Sequence, residues 1–383
     1  MTPFAIHAPG RILFGRAEAA KAVGPIRGFG DRGIVVHGAS ADRAAWLLDS
    51  LHAQGCEVLA IGCAQEPTLG MLEAALARAR PFSPAWVAAI GGGATLDLGK
   101  AVAAMIPAPR PALDYLEVAG PGRALDAAPL PFIALPTTAG TGAEATRNAV
   151  IGLPNLGRKV SMRDERMLAR LAIIDPGLTD GCPRGVTLAS GMDAIAQVIE
   201  PYVSCRATPF TDALSRPAIP TGLAAVQRLM QCEDPAARDA LAWVSLSGGL
   251  ALENAGLGAV HGLAGVIGGI IPAAHGALCG ALLGPVLEMN RTRATNAASL
   301  RLVEVCAMIG AAFGCSAAGA PARLAEWLRD TGLPGLTAQG LDPARHDQIA
   351  DAALTSSSIK GNPVALSAAD LREILNQASQ ARV

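Results

Sequence analysis

A chain of 383 residues, 51% hydrophobic and 16% charged, is longer than one hydrophobic core ordinarily serves and too apolar to be disordered, so two folded domains are expected. The formal net charge is -1, with Lys and Arg scattered along the chain; this excludes the basic surface a nucleic-acid partner requires and favours a small molecule. The eight cysteines (56, 63, 182, 205, 232, 279, 306, 315) show no CxxC or zinc-ribbon spacing, and read as small core hydrophobes in a reducing compartment.

The opening segment MTPFAIHAPGRILFG lacks a basic stretch followed by an unbroken apolar run, so no secretory signal is expected and a cytoplasmic location is. From there the chain alternates β-branched runs with helical stretches, the pattern of βαβ units and a parallel sheet. Gly33 to Gly38 reads as a strand and Ala41 to Gln54 as the helix after it. Glu57 to Ile61 is a second strand, Thr68 to Ala79 a second helix, and Ala85 to Ile90 a third strand running into Gly91-Gly92-Gly93. Pro131 to Leu135 repeats the strand signature before a second polar, Gly-containing turn. Open α/β sheets hold ligands at such C-terminal strand ends.

The turn GGGATLDLGKA places three glycines before a helix that carries Asp97 and Lys100. Backbone amides and the helix dipole there favour an anion such as a pyrophosphate, although a tight strand-to-helix turn also explains three glycines. In PTTAGTGAEAT, Thr137, Thr138 and Thr141 offer hydroxyls to phosphate, ribose or nicotinamide; the spacing of Thr141 and Glu144 also fits a capping box at a helix start.

Beyond about Asp175, Ala- and Leu-rich segments of helical spacing take over. Asp175-Pro176-Gly177 through Cys182-Pro183-Arg184 punctuates the change, dividing the chain into an α/β domain over 1–180 and an all-helical domain over 181–383. SGMDAIAQVIEPYVS predicts a helix ended by Pro201, with Asp193 and Gln197 on one face. HGLAGVIGGIIPAAHG separates His261 from His275 by fourteen residues, about 20 Å along a continuous helix; Pro272 and the glycines suggest instead two helices able to bring both imidazoles to one point. The same interruptions argue against a membrane span over Ala259 to Val286, the most apolar stretch. A carboxylate and two imidazoles suit Fe(II) or Zn(II), while two core histidines and a surface aspartate is the alternative reading of the same residues.

Taken together, GGGATLDLGKA, PTTAGTGAEAT, DPGLT, GMDAIAQVIEPYVS and HGLAGVIGGIIPAAHG resemble, in order and over nearly the whole chain, the motifs of the iron-dependent (group III) alcohol dehydrogenases. The resemblance implies a parallel-sheet nucleotide-binding domain followed by a helical domain, an architecture shared with dehydroquinate synthase, and hydride transfer between NAD(P) and a small alcohol or aldehyde. It implies that Asp193, His261 and His275 carry catalysis by holding a divalent metal, iron first and zinc second, with Gln197 as a further ligand or an outer partner. It places Gly38, Ser40, Gly92, Gly93, Thr95, Asp97, Thr137, Thr138, Thr141, Lys159 and Leu178 along the dinucleotide, puts Asn148 in the substrate pocket, and suggests a homodimer or larger assembly.

Two positions depart from the family pattern: Gln197 stands where a histidine ligand is usual, and Gly265 where a second histidine commonly follows the first HG pair. Gly38 also replaces the acid that would bond a ribose 2′-hydroxyl, so the cofactor can be NADP or NAD. Three rival functions share these residues: a metal-independent, maleylacetate reductase-like enzyme acting on an oxo-acid, a dehydroquinate synthase-like lyase, and a non-catalytic nucleotide-binding protein.

Overall fold

The computed structural model describes residues 3–380, in two compact units. One comprises His7–Thr138 with Gly142–Asp180; the other comprises the residues before His7, Ala139–Thr141 and the chain from Gly181 onward.

In the first unit, six strands form a parallel sheet: β1 (Ile12–Phe14), β2 (Arg32–His37), β3 (Glu57–Gly62), β4 (Trp86–Gly91), β5 (Phe132–Pro136) and, after a two-stranded insertion, β8 (Leu171–Ile174), in the order β1-β8-β5-β4-β2-β3. The helices α1 (Val23–Arg27), α2 (Asp42–Ala53), α3 (Leu69–Phe82) and α4 (Gly93–Met105) link these strands. Val35, Ala88, Ile90, Ile133, Leu135 and Ile173 form the centre of the core with Leu47 and Leu51 of α2. Every residue of β4 and β5 is buried, which is why these strands read as continuous apolar runs instead of alternating ones. Strand order reverses between β2 and β4, the switch point at which such sheets bind ligands.

The insertion is an antiparallel hairpin, β6 (Asn148–Leu153) and β7 (Arg158–Arg163), which the sequence reading left unassigned. Its signals are present: β6 alternates half-buried and buried residues, and the connecting turn ends at Gly157 with φ +57°. The loop after β5 forms a short 3-10 turn over Ala143–Ala145 headed by Gly142, which has no side chain with which to cap it; the expected helix start capped by Thr141 is therefore not formed.

The second unit is built from α5 (Arg184–Val203), α6 (Pro209–Leu229), α7 (Pro235–Ala255), α8 (Ala259–Gly268), α9 (His275–Arg293), α10 (Asn296–Phe313), α11 (Ala320–Thr331), α12 (His346–Leu354) and α13 (Ala368–Ser379). Among the described residues no single helix is long and apolar enough to cross a membrane; the apolar stretch from Ala259 is divided between α8 and α9. Helix α5 does not end at Pro201 but continues to Val203, because a proline in the last turn forfeits one hydrogen bond without blocking the residues after it. Cysteine burial also differs from expectation, since Cys205 and Cys232 are exposed.

Candidate active site

Parallel pairing brings the C-terminal ends of β2, β4 and β5 to one edge of the sheet, with His37 opposite Ile90 and Gly91 opposite Pro136. Gly38, Gly91–Gly93 and Thr137–Thr138 therefore lie along that edge. A Cβ at Gly91 would stand 2.5 Å from Thr95 Oγ1, and one at Gly38 or Gly92 would lie 3.8 Å from Thr95 Oγ1 or 3.4 Å from Thr138 Oγ1. Glycine thus leaves backbone amides and two threonine hydroxyls bare at the start of α4, whose first-turn N–H groups have no partners within the helix. These residues fit a dinucleotide phosphate. Ser40 is exposed beyond Gly38.

The remaining expected nucleotide residues divide by what they touch. Asp97 Oδ2 accepts the Val150 N–H at 3.1 Å, which ties β6 to α4, and its Oδ1 lies 3.4 Å from Lys100 Nζ. The Lys100 ammonium is buried and donates to the Ala143 carbonyl at 2.9 Å, to Thr146 Oγ1 at 3.0 Å and to the Asn148 carbonyl. Burial pushes up the carboxyls of both Asp97 and Glu144, the latter to about 7. Lys159 on β7 pairs with Glu66 at 3.5 Å, and the Asn148 amide reaches Ser161 Oγ at 3.4 Å. Leu178 packs against the sheet core, in a turn capped by Asp175. Thr141 belongs with the helical unit, where neighbouring Gly140 lies against Ser190 of α5.

In the helical unit, Asp193 and Gln197 occupy one face of α5, His261 lies in the first turn of α8, and His275 opens α9. The alternative of a surface aspartate fails, because Asp193 is 1% exposed. The imidazole centroids are 5.4 Å apart. Asp193 Oδ1 is 3.2 Å from His261 Nε2 and 3.9 Å from His275 Nε2. This convergence rests on Gly276: a Cβ there would stand 2.1 Å from the Ala189 carbonyl oxygen and 3.1 Å from Asp193 Cβ, so only glycine lets the start of α9 approach α5. By contrast, Gly265 faces open space, with nothing within 4 Å of a Cβ placed on it.

Two further residues, missed in the sequence, complete the cluster. Glu200, two turns beyond Asp193 on α5, accepts His261 Nδ1–H at 2.6 Å and the Val260 N–H at 2.7 Å; this orients the ring and directs Nε2 toward Asp193, as carboxylate partners do for metal-binding histidines. Cys279, one turn after His275 on α9, has its Sγ 3.6 Å from His275 Nε2 and 3.8 Å from His261 Nε2. One donor atom from each of Asp193, His261, His275 and Cys279 lies within 4.8 Å of the others.

The electrostatics favour a cation. Burial opposes the charge on Asp193, but hydrogen bonding to His261 and the nearby imidazoles outweigh it and hold the carboxyl below its usual range. Burial likewise disfavours both imidazolium ions, yet Cys279 with Glu200 and Asp193 raises His261, and Cys279 with Asp193 pushes His275 up to about 9. Gln197 is 3% exposed; its amide hydrogen-bonds Asp193, and its Oε1 is buried without a hydrogen-bond partner. An anionic, imidazole-rich donor set with an orphaned amide oxygen beside it fits a divalent metal.

Residues 9–176 match the family described as iron-containing alcohol dehydrogenase, and residues 187–379 match the C-terminal domain of the same family. The chain belongs to the iron-containing alcohol dehydrogenases. It is 32% identical to a 4-hydroxybutyrate dehydrogenase of Cupriavidus necator, over 91% of this chain and 90% of that protein. It is also 32% identical to an NAD-dependent methanol dehydrogenase of Bacillus methanolicus, over 76% of each. The solved structure of a 1,3-propanediol oxidoreductase superposes with TM-score 0.89 at 26% identity, covering 98% of this chain and all of that one. The reaction of this iron-containing alcohol dehydrogenase is hydride transfer between a nicotinamide cofactor and an alcohol or aldehyde at a divalent-metal site.

Proposed function

We propose that this family member divides its work between residues 1–180, which bind the dinucleotide, and residues 181–383, which bind metal and a small alcohol or aldehyde. The single observation that carries the reading is the convergence of Asp193, His261 and His275 on one buried, cation-attracting point. These three side chains would hold the ion, iron first and zinc second by donor type. The metal supplies Lewis acidity, polarising an aldehyde carbonyl or lowering the pKa of an alcohol.

This chain's own residues do the rest. Glu200 fixes the His261 ring, and Gln197 steadies Asp193. On the nucleotide side, the amides at the start of α4 with Gly92, Gly93, Thr95 and Thr138 hold the pyrophosphate, while Asp97 and Lys100 brace the loop and hairpin around it. Thr137, Thr141, Lys159 and Leu178 complete the dinucleotide contacts, and Asn148 contributes to the substrate pocket. With Gly38 and exposed Ser40 at the end of β2, the 2′-position meets no carboxylate from that residue, which supports NADP as well as NAD. All eight cysteines are free thiols, which suits the cytoplasm; the active species is a homodimer or larger.

The test is oxidation of NADPH and NADH by the purified protein with a panel of small aldehydes and an unsaturated oxo-acid, before and after metal chelation. Aldehyde-dependent oxidation that chelation abolishes supports the proposal. Chelator-insensitive reduction of the oxo-acid alone would instead make the chain a metal-independent, maleylacetate reductase-like enzyme.

A further inference from the structure

We infer that Cys279 is a metal ligand, so that the site presents an Asp–His–His–Cys donor set whose thiolate takes the place left by the histidine missing at position 197. The inference deepens the proposed function and rests on its metal site. The first ground is position. Cys279 follows His275 by four residues on α9, so both side chains project from one face, and Cys279 is fully buried among the other donors.

The second ground is spacing. A tetrahedral ion bonded at about 2.1 Å to nitrogen, 2.3 Å to sulfur and 2.0 Å to oxygen spaces its donors about 3.6 Å apart for N···S and about 3.3 Å for N···O. The two N···S separations to Cys279 are 3.6 and 3.8 Å, and the nearer N···O separation, His261 to Asp193, is 3.2 Å. A cysteine that only filled space would have no reason to meet both Nε2 atoms at these distances.

The third ground is Gln197. Its amide is engaged with Asp193, so it acts as a brace on that ligand, while a neutral amide oxygen is a poorer donor than a thiolate. A sulfur donor also changes selectivity. Thiolate favours zinc or cobalt over the harder ions that carboxylate and imidazole alone accept, so this chain should retain zinc more strongly than iron when both are offered.

The test replaces the native metal of the full-length protein with Co(II) and records its absorption spectrum, with His275→Ala and Cys279→Ala in parallel. Cobalt-loaded wild-type protein should show a thiolate-to-cobalt charge-transfer band in the near ultraviolet. Cys279→Ala should keep the visible ligand-field bands of bound cobalt, lose the charge-transfer band, and bind zinc more weakly by at least the roughly 10–100-fold that loss of an outer hydrogen-bonding partner costs a metal site. Ligand-field bands without charge transfer in the wild-type protein would overturn the Cys279 assignment and leave the Asp193–His261–His275 site standing. Wild-type protein that binds no more cobalt than His275→Ala would overturn both. The wild-type spectrum decides the point even if Cys279→Ala folds poorly.

Discussion

The two units treat their buried carboxyls in opposite ways. In the sheet unit, burial pushes Asp97 and Glu144 up, Glu144 to about 7, around a buried Lys100. In the helical unit, Asp193 is equally buried but held low by imidazole partners. The contrast matches the sign of what each unit binds. A loop that cradles phosphate with backbone amides suppresses competing negative charge near it, whereas a cation site keeps its carboxylate ionised. The difference teaches that recognition in the first unit is carried by backbone and small residues, and in the second by a few side chains that cannot be exchanged.

The sharpest break of that comparison is His275→Ala. It should remove metal and lower kcat/KM by roughly 1,000-fold or more, the several kcal/mol that a Lewis acid contributes, while nucleotide affinity measured by calorimetry stays within a few-fold. Loss of nucleotide binding in the same variant would show that the two functions are not separable.

Glu144→Gln probes the other unit. The folded carboxyl titrates at about 7 against an ordinary 4.5, so folding takes up a proton between those values. This group's contribution to stability is then greatest below pH 4.5, declines as pH rises to 7 and is flat above. The glutamine variant should lose that decline and gain up to about 3 kcal/mol at pH 8, read as a higher melting temperature at pH 8 with little change at pH 4.5.

Glu200→Gln leaves every metal donor in place but weakens the anchor of His261; metal affinity should fall roughly 10–100-fold, with cofactor affinity unchanged in the same titration. The smallest effect is expected from Gly38→Asp. A carboxylate at the end of β2 should shift the ratio of kcat/KM for NADH over NADPH by roughly 10-fold toward NADH through repulsion of a 2′-phosphate, without altering metal content.

Much of this was legible in the sequence for physical reasons. The strands of the sheet are buried on both faces, so they appear as apolar runs ending in glycine, and the two ligand-bearing loops fall at those ends. Asp193, His261 and His275 stood out because charged or imidazole groups are conspicuous in apolar segments, and Pro272 marked the break that brings the histidines together. The β6–β7 hairpin escaped because charged residues flank its alternation. Glu200 was readable as the third member, with Asp193 and Gln197, of one helical face. Cys279 was hidden by its own chemistry: a thiol in an Ala- and Leu-rich helix resembles core filling, and only the four-residue step from His275 signalled otherwise. That Thr141 groups with the helices could not be read locally, since it depends on Gly140 meeting Ser190 across a long separation in sequence.

The central claim is that Asp193, His261 and His275 hold a divalent metal on which hydride transfer depends. The most direct measurement is elemental mass spectrometry of protein purified without added metal, coupled to NAD(P)H oxidation before chelation, after chelation, and after restoring Fe(II) or Zn(II). Near-stoichiometric metal, with turnover lost on chelation and recovered on restoration, is the predicted result. Metal-free protein that oxidises NAD(P)H with an aldehyde at its full rate would contradict the account.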